Sequence, residues 1–328
     1  MEFYERSKPH LQKVEEQMNA VLGGERKDVY GMLYPFIKRG GKRIRPLLAI
    51  LACEAVGGDV QKVIRPAAAI ELFHNFTLIH DDIADDSQFR RGEPTLHATY
   101  GIPIALNFGD ALYTIVWRDI VGLDIEPARL VRLQSLYADT FKLVVEGQGM
   151  ELDWYHNKRF DITEKNYFEM INRKTAALIG LSCKLGGFIG NADEKTMEAL
   201  WSFGEKIGTA FQIHDDVLNI VGDFEKYQKE IGGDISEGKR SLIIVHFLSA
   251  AGDEDKKKVV EVLSTHSKKK EDIEQVIALL KKHGSTDYAS GVAKKLVDDA
   301  KKELDVLPDS EAKEALIAVA DFVVSREL

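Results

Sequence analysis

The chain has few cysteines and no long hydrophobic run. Only 2 of its 328 residues are cysteine, Cys53 and Cys183, and both sit in apolar, helix-like patterns. We therefore expect buried thiols rather than a disulfide framework. The apolar stretches, such as 47–56, fall well short of the roughly 18 residues that span a bilayer. Because MEFYERSKPH also lacks a basic segment followed by an apolar one, we expect a cytoplasmic protein without a secretory signal or a transmembrane segment.

Proline is scarce as well, with 8 residues in the chain and none between positions 127 and 308. Proline interrupts helix interiors, so its absence permits long helices. Apolar side chains recur at intervals of three to four residues, as along 143–154, and strand-like alternation is hard to find. The sequence therefore predicts an all-α fold.

The predicted helices follow one another with short loops, except near 86–94 and 222–239. No Gly/Ser-rich or Pro-rich linker divides the chain, so we predict one domain over residues 1–328. The charge-dense stretch 252–283 has thin apolar stripes, which is typical of a solvated outer layer of helices. Helices are expected near 2–22, 27–39, 43–56, 60–85, 103–121, 127–154, 163–190, 194–221, 240–250, 254–264, 269–283, 286–304 and 309–326.

Acidic residues outnumber basic ones, 53 Asp and Glu against 44 Lys and Arg, which gives a formal charge of −9. This balance argues against a protein that coats nucleic acid or an anionic membrane. Six aspartates in two short clusters account for −6 of that charge. The acidity is therefore concentrated at two places rather than spread over the surface.

The first cluster has four aspartates between positions 81 and 86. Residues i and i+4 share a helix face, so Asp81 pairs with Asp85 and Asp82 with Asp86. Four neighbouring carboxylates repel one another and require water or a cation between them. Oxygen ligands without cysteine suit Mg²⁺ or Mn²⁺ rather than zinc. The alternative is an exposed acidic helix end, although acid at a helix C-terminus opposes the helix dipole.

The tetrapeptide Ile-His-Asp-Asp occurs twice, at 79–82 and at 213–216. Each copy closes a predicted apolar helix, and a separation of 134 residues is too long for a solenoid repeat. We interpret the two copies as acidic rims that hold metal ions between them. Adjacent helical side chains point about 100° apart, so we expect His80 and His214 to have core or supporting roles rather than to ligate metal.

Three basic sets accompany the acids. The stretch 38–45 contains five cations, and Gly40-Gly41 separates two helices, so that the second helix begins with free N–H groups that favour anions. The stretch 90–92 follows the first acidic cluster, and Lys229 and Lys239 follow the second. Surface solvation explains any single set. Cations and carboxylates that recur together at helix ends indicate instead a site for two polyphosphates, one bridged by metal and one bound directly by cations.

These residues form an ordered series of motifs. They are GGKRIRP at 40–46, ELFH at 71–74, HDDIAD at 80–85, RRG at 90–92, KT at 174–175, FQ at 211–212 with DD at 215–216, and GGD at 232–234 with GK at 238–239. The series resembles the trans-isoprenyl diphosphate synthases, the family of farnesyl and geranylgeranyl diphosphate synthases, and is closest to short-chain enzymes of the archaeal type. The resemblance covers essentially the whole chain. It implies a bundle of long, mostly antiparallel helices around a deep central cavity, and a homodimer.

The resemblance also implies ligands and residue roles. The substrates are isopentenyl diphosphate and an allylic diphosphate (dimethylallyl, geranyl or farnesyl), and three Mg²⁺ ions, replaceable by Mn²⁺, serve each active site. Metal ligands or their supports are Asp81, Asp82, Asp85, Asp215 and Asp216. Contacts to the metal-bound allylic diphosphate come from Arg90, Lys174, Lys229 and Lys239. Isopentenyl diphosphate is bound without metal by Lys42, Arg45, His74 and Arg91. The catalytic groups near the reacting carbons are Lys174, Thr175 and Gln212.

The implied reaction is a head-to-tail (1′-4) condensation. Cleavage of the allylic C–O bond leaves a diphosphate whose growing charge is stabilised by Mg²⁺, Arg and Lys. The double bond of isopentenyl diphosphate attacks the allylic cation, and a proton is lost to the departing diphosphate. Water must be excluded because it would quench the cation.

Product length is expected to follow the depth of the cavity below Asp81. Phe73, Phe76 and Thr77 lie eight, five and four positions earlier on the same helix. By the same resemblance they form the floor, although a simple core role for the two Phe residues is also open. We predict a C20 product, geranylgeranyl diphosphate, with C15 farnesyl diphosphate as an alternative or minor product.

Two positions depart from the family pattern. Asn219 stands where the second acidic motif often has its last aspartate. Its side-chain oxygen leaves metal binding open, but we do not assign it as a direct ligand. Asp86 is an additional carboxylate to which the pattern assigns no role.

Other classes of protein share parts of this pattern. A class I terpene cyclase has the acidic rims and the helical fold, but it needs no second diphosphate site, so Lys42, Arg45 and Arg91 count against it. A non-catalytic prenyl synthase subunit would lack some of the aspartates or arginines, which are all present. A di-iron bundle needs two Glu-x-x-His motifs, and only Glu71-x-x-His74 fits.

Overall fold

The computed structural model describes residues 2–23, 31–221 and 232–325. Within these ranges the chain is almost entirely helical, which confirms the all-α prediction, and the one sheet is a hairpin of β1 (Phe89–Arg90) and β2 (Glu93–Pro94). The helices are α1 Glu2–Gly23, α2 Leu33–Lys38, α3 Ile44–Ala55, α4 Val60–Ala84, α5 Leu96–Tyr100, α6 Ile102–Val121, α7 Pro127–His156, α8 Glu164–Ile171, α9 Ala177–Ile189, α10 Glu194–Val221, α11 Gly233–Ser236, α12 Leu242–Ala250, α13 Asp253–Ser264, α14 Lys270–Lys282, α15 Ser285–Glu303 and α16 Glu311–Ser325.

Four predicted segments differ from the structure. From residue 232 onward, the expected loop 222–239 contains the short helix α11. The helix expected near 163–190 is α8 and α9 joined by a five-residue π-helical turn, Asn172–Ala176. The expected loop 86–94 contains the β-hairpin and leads into α5. From residue 31 onward, the helix expected near 27–39 is only α2. Neither Pro nor Gly marks the π-turn, so hydrophobic periodicity alone could not reveal it.

Local hydrogen bonds explain where several helices begin. Asp59 Oδ1 accepts the Gln61 N–H at 3.0 Å just before α4. Thr163 and Asn166 form a reciprocal capping box at the start of α8. Gly101, with φ at 87°, separates α5 from α6, because few residues other than glycine adopt that backbone conformation.

The contacts divide the chain into two compact units. Unit 1 comprises Met1–Ala138, Leu181–Leu200 and Leu307–Leu316. Unit 2 comprises Asp139–Gly180, Trp201–Val306 and Ile317–Leu328. The boundaries fall inside helices rather than in linkers. The single domain over 1–328 stays a prediction.

Unit 1 is built around α4, which packs against α1, α3 and α6. The approach of α6 is close, because a Cβ at Gly109 would collide with the His80 ring. Residues 46–53 of α3 are all buried. Cys53 and Cys183 are buried and unpaired, as predicted, and burial raises the pKa of Cys53 to about 12.

In unit 2, α12 packs against α8 and α15, and α13 to α15 pack in succession. Between 252 and 283 the helices bury only a narrow apolar stripe, which confirms the predicted solvated layer; its members are Val259, Leu263, Ile273, Val276 and Leu280. No helix in the described ranges of either unit combines the length and the hydrophobicity needed to cross a bilayer.

Candidate active site

The first acidic cluster lies at the C-terminal end of α4 in unit 1. Helix α4 ends at Ala84, and Asp85 donates its N–H to the Asp81 carbonyl at 2.9 Å. Asp81 and Asp85 are half-buried, Asp86 is exposed, and Asp82 is only 1% exposed. The i,i+4 pair Asp81 and Asp85 is therefore partly accessible, whereas Asp82 is buried inside unit 1.

Asp82 is a buried carboxylate with a single cationic partner. Its Oδ1 is ion-paired with Arg90 Nε, and its buried Oδ2 has no hydrogen-bond partner among the described residues. Burial raises the pKa of Asp82, and the charge of Arg90 opposes the shift only in part. A buried oxygen without a partner beside two accessible carboxylates fits a hard divalent cation.

The hairpin after the cluster aims two arginines at different targets. Arg91 and Gly92 form its two-residue turn with φ at 55° and 78°, and positive φ at both positions defines a type I′ turn. Arg90 reaches back to Asp82 on α4, whereas Arg91 Nη1 donates to the Gly40 carbonyl. A Cβ at Gly41, whose φ of 147° favours glycine, would lie 3.0 Å from Arg91 Nη2, so this guanidinium packs closely against the Gly41 backbone.

The basic stretch 38–45 contains one structural arginine among its cations. Arg43, at φ 47° before α3, is 5% exposed and donates to Glu71 Oε1 at 3.0 Å and to Glu15 Oε1 at 3.3 Å. Lys42 is exposed. The buried Nε of Arg45 has no partner among the described residues. Glu71 therefore compensates one arginine and leaves neighbouring positive charge for an anion.

His74 lies within this group of arginines. Burial lowers its pKa well below the ordinary value, and Arg45, Arg91, Arg90 and Arg43 lower it further. A neutral imidazole can donate a hydrogen bond to an anion without adding charge. The arrangement in unit 1 can therefore bind a diphosphate without metal.

An aromatic cluster lies one to two turns before Asp81 on α4. The ring centroids of Phe73 and Phe76 are 5.3 Å apart, and that of Tyr113 on α6 lies 5.2 Å from Phe76 and 6.2 Å from Phe73. Trp117 extends the cluster, with its centroid 6.5 Å from that of Tyr113. Phe73 is fully buried, and the Thr77 hydroxyl donates to the carbonyl of residue 74 at 2.8 Å.

In unit 2, the π-helical turn carries Lys174 and Thr175. Such turns often mark functional sites, because they change the helix register and the backbone hydrogen bonding. Lys174 Nζ is ion-paired with Glu151 on α7. A Cβ at Gly147 would collide with the Lys174 backbone, so this glycine permits the close approach of α7. Thr175 is half-buried in the same turn.

The second acidic cluster lies on α10. Asp215 and Gln212 are half-buried, and Asp216 is 6% exposed. Asp216 accepts hydrogen bonds from Gln212 Nε2 at 2.9 Å and from the Tyr167 hydroxyl at 3.4 Å. Burial raises the pKa of Asp216 well above its ordinary value, and the nearby carboxylate of Asp234 adds to the shift.

Lys239 lies beside this cluster. Its Nζ is 2.7 Å from Asp234 Oδ1 and 2.8 Å from Glu237 Oε2. Burial lowers the pKa of Lys239, but the two carboxylates outweigh it and leave the pKa well above the ordinary value. Asp216, Asp234 and Lys239 line one small cavity. Lys229 lies outside the described residues.

The carboxylates do not form a preformed metal cage. Among the described residues, no three His, Cys, Asp or Glu side chains converge as a ready set of metal ligands. Mg²⁺ is commonly held by one or two carboxylates together with substrate phosphates and water. Asp81 and Asp85 at the end of α4, and Asp215 within α10, are partly accessible carboxylates that suit that mode of binding.

Several residues of the site were not anticipated from the sequence. They are Tyr113, Trp117, Glu151 and Tyr167. Arg43, Glu71 and Asp234 were singled out only as members of the motifs GGKRIRP, ELFH and GGD, without a role of their own. Most of these residues act on partners far away in sequence, such as Glu151 on Lys174, so no local pattern signals them.

Comparison with known proteins gives a consistent result. The family model for polyprenyl synthetase matches residues 26–280. The chain belongs to the polyprenyl synthetase family. It is thus a prenyltransferase that uses isoprenyl diphosphate substrates, as the motifs predicted.

Individual relatives are similar over nearly their full length. The chain is 41% identical over 291 residues to the short chain isoprenyl diphosphate synthase of Methanothermobacter thermautotrophicus, covering 89% of this chain and 88% of that protein. Geranylgeranyl pyrophosphate synthetase from Pyrococcus horikoshii superposes with a TM-score of 0.92 at 37% identity, over 99% of both chains. A polyprenyl synthase from Caulobacter crescentus, complexed with calcium and isoprenyl diphosphate, superposes with a TM-score of 0.91 at 27% identity, over 99% of this chain and 97% of that one.

Proposed function

We propose that this polyprenyl synthetase condenses isopentenyl diphosphate head-to-tail (1′-4) with an allylic diphosphate in the presence of Mg²⁺. Two kinds of diphosphate chemistry support the proposal. Carboxylate pairs at Asp81/Asp85 and Asp215/Asp216 suit a metal-bound diphosphate. The arginines around neutral His74 suit a diphosphate without metal.

We assign the metal-bound allylic diphosphate to the carboxylates and their neighbouring cations. Three Mg²⁺ ions, replaceable by Mn²⁺, would neutralise the diphosphate as its C–O bond breaks. Arg90, Lys174 and Lys239 would hold its oxygens. Lys229 keeps the same predicted role. Asp82 would support its neighbours, because its own Oδ1 is already bound to Arg90.

We assign isopentenyl diphosphate to Lys42, Arg45, His74 and Arg91. The buried Nε of Arg45 is a donor without an acceptor among the described residues, which supports this role. Thr175 and Gln212, with the carbonyl of Lys174, would stabilise the allylic cation by their dipoles. The full burial of Phe73 on α4 supports exclusion of water from the cation.

We propose geranylgeranyl diphosphate as the main product, with farnesyl diphosphate as the alternative. Phe73 and Phe76 are bulky side chains one to two helical turns before Asp81, and the Phe76 ring packs against Tyr113. The Pyrococcus relative carries the geranylgeranyl name, which supports this length. Replacing both Phe residues with Ala is expected to lengthen the products. An unchanged chromatographic profile of the prenyl alcohols would contradict the proposal that the two Phe residues form the floor of the cavity.

One incubation tests the reaction. The pure protein receives Mg²⁺, labelled isopentenyl diphosphate and, in separate reactions, dimethylallyl, geranyl or farnesyl diphosphate, and the products are sized by chromatography. Elongated C20 diphosphate is expected. Absence of elongation with every primer would falsify the synthase proposal, and a cyclised hydrocarbon would favour a terpene cyclase.

We also propose a homodimer formed through α6. Ile102, Leu106 and Val121 are 55%, 46% and 59% exposed, an unusual number of large apolar side chains for one helix. Light scattering is expected to give twice the mass of the chain, and Leu106→Glu to reduce it to one. The cytoplasmic location stays a prediction.

A further inference from the structure

Asn219 stands where the second acidic motif departs from its usual pattern, and its amide oxygen is already bonded within unit 2. The side chain is 5% exposed. Its Oδ1 accepts the Asp234 N–H at 3.1 Å, and its carbonyl accepts the Gly232 N–H at 2.9 Å. A backbone N–H can only donate, so the side-chain atom facing Asp234 is the oxygen. Both bonds tie the end of α10 to the segment 232–239.

That segment leads directly to Lys239. It begins at Gly232 with φ at 76°, where a Cβ would collide with Ile273, so its path is tightly constrained. The Asp234 carbonyl accepts the Lys239 N–H at 2.9 Å, and Asp234 Oδ1 accepts Lys239 Nζ at 2.7 Å. Asn219 is therefore linked to the Lys239 ammonium through Asp234 by direct hydrogen bonds.

We propose that Asn219 is a positioning residue, which sets Lys239 beside Asp216 through Asp234, and that it does not ligate Mg²⁺. The inference rests on the proposed binding of the allylic diphosphate by Lys239. The property that this role requires is a side-chain oxygen that accepts the Asp234 N–H, and both an amide and a carboxylate have one.

The test compares three single variants. Asn219→Leu removes the acceptor at similar volume, Asn219→Asp keeps an acceptor oxygen, and Lys239→Ala removes the positioned cation. In Asn219→Leu the part-buried Asp234 N–H loses its acceptor, and KM for the allylic diphosphate is expected to rise about tenfold. In Asn219→Leu, kcat and KM for isopentenyl diphosphate should stay within about threefold of the parent values. In Asn219→Asp, kcat and both KM values should remain near those of the parent.

Two further measurements separate positioning from metal ligation. The half-activating Mg²⁺ concentration should be unchanged in Asn219→Leu, and calorimetric binding of pyrophosphate with Mg²⁺ should weaken about as much as KM rises. A metal ligand would give the opposite result: Asn219→Leu would raise the Mg²⁺ requirement and Asn219→Asp would lower it. That outcome overturns the inference.

The double variant Asn219→Leu/Lys239→Ala tests the route through Lys239. Its allylic KM is expected to equal that of Lys239→Ala alone, and additive losses would contradict the route. An unchanged allylic KM in Lys239→Ala would instead refute the proposed role of Lys239, whatever Asn219 does. If Asn219→Leu does not fold, Asn219→Val removes the acceptor with a smaller side chain, and the same expectations apply.

Discussion

The two Ile-His-Asp-Asp copies place the same four residues on α4 in unit 1 and on α10 in unit 2. In both copies the first aspartate is half-buried and the second is buried, with Asp82 1% and Asp216 6% exposed. The turn of about 100° per helical residue accounts for this shared pattern, because adjacent side chains cannot face the same side. Local geometry therefore decides which aspartate is accessible for a ligand.

The partners of the buried aspartates differ between the copies. Asp82 is paired with a charged arginine, whereas Asp216 accepts hydrogen bonds from the neutral side chains of Gln212 and Tyr167. Burial raises the pKa of both carboxyls, and it does so most strongly at Asp216, where no cation forms a direct pair in the described residues. Identical motifs thus acquire different electrostatics from their neighbours.

The largest expected effect is loss of the accessible aspartates. Asp81→Ala and Asp215→Ala should each lower kcat by about 10³-fold or more, since electrostatic stabilisation of the departing diphosphate carries much of the barrier lowering. Single-turnover kinetics with saturating substrates measures the change. Asp86→Ala is the matched control, because this exposed carboxylate lies in the same cluster, and its kcat should stay within about tenfold.

The next largest effect is expected at Arg90, the charged partner of Asp82, which has no counterpart at Asp216 among the described residues. Arg90→Gln leaves Asp82 buried without its cation and should destabilise the fold by about 2 kcal/mol, less than a fully buried pair because Arg90 is part-exposed. Urea unfolding measures the difference. Adding Asp82→Asn should restore most of the stability, and a double variant as unstable as the single one would show that Arg90 acts elsewhere.

A smaller effect depends on pH. In the unfolded chain Asp216 has an ordinary aspartate pKa of about 4, whereas its pKa in the folded protein is raised. Between these two pKa values the folded protein keeps the Asp216 proton and the unfolded chain has lost it. Stability is therefore lost as pH rises above about 4 through the folded pKa. With Mg²⁺ removed by EDTA, Asp216→Asn should gain stability over the parent as pH rises, by on the order of 1 kcal/mol at neutral pH.

Asp82→Asn is the comparison for that pH experiment. Its gain should be smaller, because Arg90 stabilises the ionised carboxylate and would lose its partner. Thermal or urea unfolding between pH 5 and pH 8 follows both variants. An equal gain in stability for Asp82→Asn and Asp216→Asn would mean that pairing with Arg90 does not make the two copies differ.

The smallest expected effect is at Tyr167. Tyr167→Phe removes one long, neutral hydrogen bond to Asp216 and should cost less than about 1 kcal/mol. Its kcat should change little. A loss comparable to that of Arg90→Gln would contradict the distinction between a charged and a neutral partner.

Much of the fold could be predicted because helices depend on local periodicity. The order of helices and the placement of Phe73, Phe76 and Asp81 on α4 follow from residue spacing. The hairpin turn could not, since Arg91 occupies a left-handed position that usually favours Asn or Gly. The π-turn at Lys174 lies against α7 at Gly147, a close contact that no local sequence pattern reveals.

Residue types and their spacing were enough to predict the helical class, the membership of a prenyltransferase family, and that the adjacent aspartates of each pair point in different directions. These features depend on residue type and on spacing within a few turns. Three contacts could be seen only in the folded chain: Arg90 with Asp82, Glu151 with Lys174, and Asn219 with the segment that carries Lys239. Ion pairs and hydrogen bonds act over a few ångströms, so they form only where long-range packing brings the partners together.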